Sequence, residues 1–156
     1  MADRKQELRD DLVQARDEAL AAVSGLPTEQ LERASVNEAW TAKDLLAHLS
    51  SIEARLQSMC QHALDGEKWP PDDRSVDAYN ARCVEERRPW PAEKLVDELR
   101  TSGERTLSFL DQLAPADLDR TFEHPVRGVV SVETLLRIVP RHLREHAAEL
   151  RAAVGR

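Results

Sequence analysis

At 156 residues the chain carries 41% hydrophobic and 33% charged side chains and a formal net charge of −7. No cluster of lysine and arginine stands unmatched by acids, which argues against a nucleic-acid partner. No apolar run nears the ~20 residues that span a bilayer, and Met1-Ala2-Asp3-Arg4-Lys5 opens no signal-peptide core, so a single cytoplasmic domain over 1–156, off the membrane, is expected.

The first helix is predicted from Asp3 to Ser24, with Leu8, Leu12, Ala15, Ala19 and Val23 along one face and Gly25 and Pro27 behind it as stops. A short helical turn is expected within Thr28 to Val36. Thr41 and Asp44 have the spacing of N-cap and N3 and open a second helix. Its face is Leu45, Leu49, Ile52, Leu56, Met59 and Ala63, fading at Asp65-Gly66. Around Trp69-Pro70-Pro71-Asp72-Asp73 the chain reads as irregular, and Ser75 to Arg87 as a weakly patterned helix bracketed by Pro89 and Pro91. A third long helix runs from Pro91 to about Leu113 with Leu95, Leu99, Ser102, Thr106, Phe109 and Leu113 on its face, and Pro115 ends it. Phe122 to Val130 is expected to form a small hairpin. The last helix spans about Ser131 to Val154. The fold class is therefore all-α: a four-helix bundle with a long connection between its second and third helices and a small hairpin before the fourth.

On the last helix Val132, Leu135, Val139, His142, His146, Glu149 and Ala153 step by three and four, predicting one core-facing stripe. Imidazoles at i and i+4 point the same way and can close on one metal ion at about 2.0–2.1 Å per nitrogen. His48 falls between Leu45 and Ile52 on the face of the second helix. If those two helices run antiparallel, the three imidazoles reach similar depth, at ~1.5 Å of rise per residue. His62 lies roughly 21 Å farther along the axis and is expected at the surface. His124 is expected in the hairpin loop, with pocket lining the lesser alternative.

Glu149 is open to several readings: a fourth ligand, an acceptor orienting an imidazole, a base acting on bound water, or a solvated glutamate near the helix end. The string His142-Leu143-Arg144-Glu145-His146 matches the H-x-x-E-H form of inverted zinc peptidases, but Glu145 falls to one side of the stripe, where a solvent role is expected. Pro140 is expected to kink the helix just before His142. Ser102 and Thr106 interrupt an apolar face, either to line a pocket or to bond their own helix backbone. Cys60 and Cys83 form no CxxC and read as small core thiols in a reduced protein. Trp69 and Trp90 are candidate exposed contacts if the bundle pairs.

Trp40-Thr41-Ala42-Lys43-Asp44-Leu45-Leu46-Ala47-His48-Leu49, with tryptophan eight residues before histidine, and His142-Leu143-Arg144-Glu145-His146 on the last helix together resemble the DinB superfamily of bacterial four-helix-bundle proteins. That superfamily includes maleylpyruvate isomerase-like and thiol-dependent transferase groups. The resemblance implies that His48, His142 and His146 form a metal triad holding a divalent ion such as zinc or nickel. It further implies a small-molecule substrate, a low-molecular-weight thiol as co-reactant, a role in detoxification, and a homodimer.

Three function classes stay open at this point. A three-histidine site leaves positions for water or thiol and suits Lewis-acid activation, giving S-transfer or, alternatively, hydrolysis. In that class Glu149 is the candidate catalytic residue beside the metal ligands. The second class is a non-enzymatic ligand-binding or stress-response protein with a structural metal, which a fourth protein ligand would favour. The third is a plain bundle with buried, hydrogen-bonded histidines.

Overall fold

The computed structural model describes residues 3–69 and 76–156. The irregular stretch expected at Pro70-Pro71-Asp72-Asp73 lies outside the described residues. The elements are α1 (Arg4–Val23), α2 (Thr28–Arg33), α3 (Ala42–Ser51), α4 (Glu53–Asp65), α5 (Val76–Arg87) and α6 (Ala92–Gln112). They are followed by a 3-10 turn (Pro115–Asp119), β1 (Thr121–His124), β2 (Gly128–Ser131) and α7 (Val132–Val154). Four rods make the bundle: α1, the α3–α4 pair, α6 and α7. α1 packs on α6 and α7, and α3 and α4 each touch those same two helices.

Local chemistry explains the boundaries. Asp3 caps α1 by accepting from the Lys5 amide at 3.0 Å. Thr41 and Asp44 complete a reciprocal capping box, the Thr41 hydroxyl accepting from the Asp44 amide at 3.2 Å and the Asp44 carboxylate from the Thr41 amide at 3.1 Å. Ser131 caps α7 by accepting from the Thr134 amide at 3.0 Å. The helix faces drawn for α1 and the first part of α6 are buried as expected.

Two helix readings need correction. The second rod is not one helix from Thr41 to Asp65, because it breaks at Ile52. The Ser51 hydroxyl donates to the Ala47 and His48 carbonyls at 2.9 and 3.1 Å, competing with the backbone amides for those acceptors. The first backbone bond after the break, Leu56 amide to Ile52 carbonyl, is long at 3.5 Å. On α7 the buried seam is Val139, Leu143, Ala147 and Leu150, not Val139, His142, His146 and Glu149. The histidines occupy the neighbouring flank, about 100° around the helix. α7 itself runs unbroken through Pro140.

The break turns Glu53 inward, where it is 1% exposed. Both of its oxygens meet the Arg16 guanidinium, with Arg16 Nη1 donating to Oε2 at 2.6 Å. Thr106 Oγ1 lies 2.7 Å from Glu53 Oε1. Ser102 and Thr106 face the neighbouring helices: the Ser102 hydroxyl donates to the Ser50 carbonyl at 3.0 Å, and Thr106 Oγ1 lies 3.0 Å from the Ser102 carbonyl of its own helix while serving the ion pair. Gly103 makes room for this, since a Cβ there would come within 3.0 Å of Arg16 Cζ.

β1 and β2 pair antiparallel with Phe122 opposite Val130 and His124 opposite Gly128. Gly128, at φ +75°, supplies the left-handed residue that closes the three-residue turn. Trp69 and Trp90 are half-buried against their own bundle rather than exposed. Trp69 meets the Phe122 ring at 6.1 Å.

Candidate metal centre

α3 and α7 run past each other so that His48 meets His142 and His146. One ligand nitrogen from each ring lies within 4.8 Å of the other two. The His48 and His146 rings stand edge to face with centroids 5.1 Å apart. His142 Nδ1 lies 3.4 Å from His146 Nε2, close to the edge of a tetrahedron of nitrogens about 2.0–2.1 Å from a central ion. Trp40 braces His48 from the other side, with ring centroids 5.2 Å apart.

The polar bookkeeping of the three rings fits a cation between them. His48 is 5% exposed and its Nδ1 has no hydrogen-bond partner among the described residues. Burial, then His146 and His142, push its pKa down to about 3, so the ring is neutral at pH 7. His142 is lowered as well, chiefly by burial and then by His146. His146 Nδ1 is 3.2 Å from Glu149 Oε1. With the proton on Nδ1 facing that carboxylate, His146 Nε2 is left as a lone pair aimed at His142. Neutral imidazoles with converging lone pairs are the form in which histidine binds metal.

A cavity of about 440 Å³ opens beside the triad. His48 and His142 form part of its wall, with Ile52, Leu56, Met59 and Ile138 as the apolar surface. Arg55, Tyr79, His124 and Arg127 also line it. Arg55 lies over the Tyr79 ring at 4.5 Å and the Trp69 ring at 5.6 Å. Tyr79 is pushed up to about 12, chiefly by burial.

The other candidates fall elsewhere. Glu149 is exposed and touches His146 rather than the cavity wall. His62 is half-buried, bonded to the Ser58 carbonyl at 2.8 Å and packed on Trp69. Glu145 is exposed and pairs with Arg141 at 3.8 Å. Cys60 is fully buried, and burial pushes its thiol up to about 12, which leaves no nucleophilic thiolate near neutral pH. His124, expected in the hairpin loop with pocket lining as the lesser alternative, ends β1 and lines the cavity, and the turn brings Arg127 to the same space.

The sequence pattern of the DinB superfamily matches residues 11–150. A protein of Oceanobacillus iheyensis, provisionally named a metal-dependent hydrolase, is 25% identical over 132 residues, covering 82% of this chain and 73% of that protein. The uncharacterized protein YuaE of Bacillus subtilis is 22% identical over 148 residues, covering 88% and 91% respectively. Among solved structures, the mycothiol-dependent maleylpyruvate isomerase superposes with a TM-score of 0.80 at 17% identity; 96% of this chain matches 63% of that one. YfiT from Bacillus subtilis, described as a probable metal-dependent hydrolase with an unusual four-helix bundle topology, gives 0.72 at 18% identity over 97% of this chain and 87% of YfiT. At these identities the superpositions establish a common fold.

Proposed function

The chain belongs to the DinB superfamily, and on that premise we propose that His48, His142 and His146 hold one divalent ion, zinc or nickel, beside the cavity. The observation that carries this reading is the convergence of three imidazole nitrogens within 4.8 Å of one another, on rings of which one, His48, is buried with a nitrogen that has no partner among the described residues. A bound ion would supply Lewis acidity, making a thiol or water more acidic there. The chain's own residues do the rest. Glu149 fixes the tautomer and tilt of His146 as a positioning residue, and Ile52, Leu56, Met59 and Ile138 exclude water from an apolar substrate portion. The reaction is transfer of a low-molecular-weight thiol to a small electrophile, which fits a detoxification role in the cytoplasm. The names given to the Oceanobacillus iheyensis protein and to YfiT favour a second reading, metal-dependent hydrolysis at the same centre.

Metal content per chain, by inductively coupled plasma mass spectrometry on tag-free protein, is the first test. About one equivalent is expected, followed by turnover in either a thiol-conjugation or an ester-hydrolysis assay. No metal after reconstitution with zinc or nickel overturns the proposal. Replacing Glu149 with glutamine should weaken zinc binding about 10–100-fold while keeping one ion per chain, as loss of an orienting partner does. An unchanged affinity, read by competition with a chromophoric chelator, removes Glu149 from the site. The homodimer implied by the family is checked by light scattering at twice the chain mass.

A further inference from the structure

The cavity wall formed by the β1–β2 turn carries a histidine that metal binding does not use. His124 ends β1 and is 8% exposed. Its Nδ1 accepts from the backbone amides of Val126 and Arg127, both at 3.1 Å. A ring nitrogen accepting from backbone donors carries no proton, so the neutral ring holds its proton on Nε2. Burial, then Arg127 and Arg55, lower its affinity for a second proton. The turn therefore locks one tautomer and presents one N–H on a ring that lines the cavity. Arg127, exposed at the turn, lines the same space, and Asp77 is the one carboxylate among the described lining residues. The opposite character is just as plain: Ile52, Leu56, Met59 and Ile138 make an apolar wall.

We propose that the His124 Nε2–H and the Arg127 guanidinium form the oxygen-holding end of this cavity, and that the molecule it takes is a small carboxylic acid with an apolar body. The assignment rests on the cavity being the substrate site of the metal centre described above. A donor fixed by its own turn needs no reorganisation to meet a carboxylate oxygen, and a guanidinium beside it matches the charge. The volume of about 440 Å³ suits a compact ligand with a polar head and a short apolar chain.

Hexanoate and its neutral isostere hexanamide are the probes, titrated into chelator-stripped protein and into zinc-loaded protein. Long-range proton–nitrogen correlation spectra read the His124 ring, and calorimetry reads affinity. Before titration the ring should show a protonated Nε2 and a bare Nδ1. Hexanoate should shift Nε2 and bind at least about tenfold more tightly than hexanamide. His124→Asn keeps an acceptor for the two turn amides but removes the N–H, and should weaken hexanoate roughly tenfold, as should Arg127→Gln. An unmoved Nε2, equal binding of the amide, or full affinity in both variants overturns the proposal. Should His124→Asn fail to fold, Arg127→Gln and the wild-type ring spectrum decide. Because the stripped protein contains no ion, failure of metal binding leaves this result standing. Protein that binds zinc but ignores hexanoate rejects the carboxylate site alone.

Discussion

Replacing His48 with leucine should cost the protein its metal and leave the metal-free fold as stable as before, or more so. A buried nitrogen without a partner is a standing penalty of about 1–3 kcal/mol, and among the described residues His48 Nδ1 meets none. Leucine fills a similar volume and removes that penalty, but offers nothing to an ion. Zinc affinity should therefore fall by more than the roughly 100-fold upper range for loss of an orienting partner, while the thermal midpoint of stripped protein holds or rises. His142→Ala should lose zinc in the same way. The opposite signs on binding and stability make the test decisive. A histidine kept for packing and hydrogen bonding would give the reverse: unchanged zinc content and a fold weakened by several kcal/mol.

The largest loss of stability is expected at Glu53, which no functional reading invokes. Removing one partner of a buried ion pair strands the other, at a cost of about 3–5 kcal/mol. Against a total of about 5–15 kcal/mol for a folded domain, Glu53→Ala leaves a marginal protein. Arg16, at 8% exposure beneath Gly103, cannot reach water without moving α6. Urea unfolding followed by circular dichroism reads the loss directly. The double replacement Arg16→Met with Glu53→Leu should recover most of it, because well-packed apolar residues commonly match or exceed a buried pair. A single-variant loss below about 1 kcal/mol would show that the guanidinium finds another partner or water.

Much of the bundle was legible because its signals are local. Thr41 with Asp44 at the head of the second rod, and Gly25 with Pro27 behind the first helix, each act within four residues, and each does in the structure what its chemistry predicts. What failed was long-range or shared between two faces. Glu53 and Arg16 gave no signal in the sequence, since nothing within a few turns of either announces a partner 37 residues away. The break at Ile52 did leave a sign, the Ser50-Ser51 pair, which an apolar seam of clean spacing concealed. On α7 two stripes fit steps of three and four equally well. The one through Leu143, Ala147 and Leu150 took the core, and His142 bordered the cavity instead, with His146 beside it. Likewise Leu110 is buried where Phe109 was drawn, one position around α6.

His48 and His142 lie 94 residues apart in the chain. An ion gripped by both would act as a cross-link between the second rod and the last, closing a loop that spans well over half the polypeptide. Such a tie has no counterpart in an unfolded chain, so its strength adds to folding by mass action and grows with free metal concentration. The three proposed ligands would then set how far heat must go before the second and last rods come apart. Metal supply would in that case govern how long the molecule survives as well as what it can do.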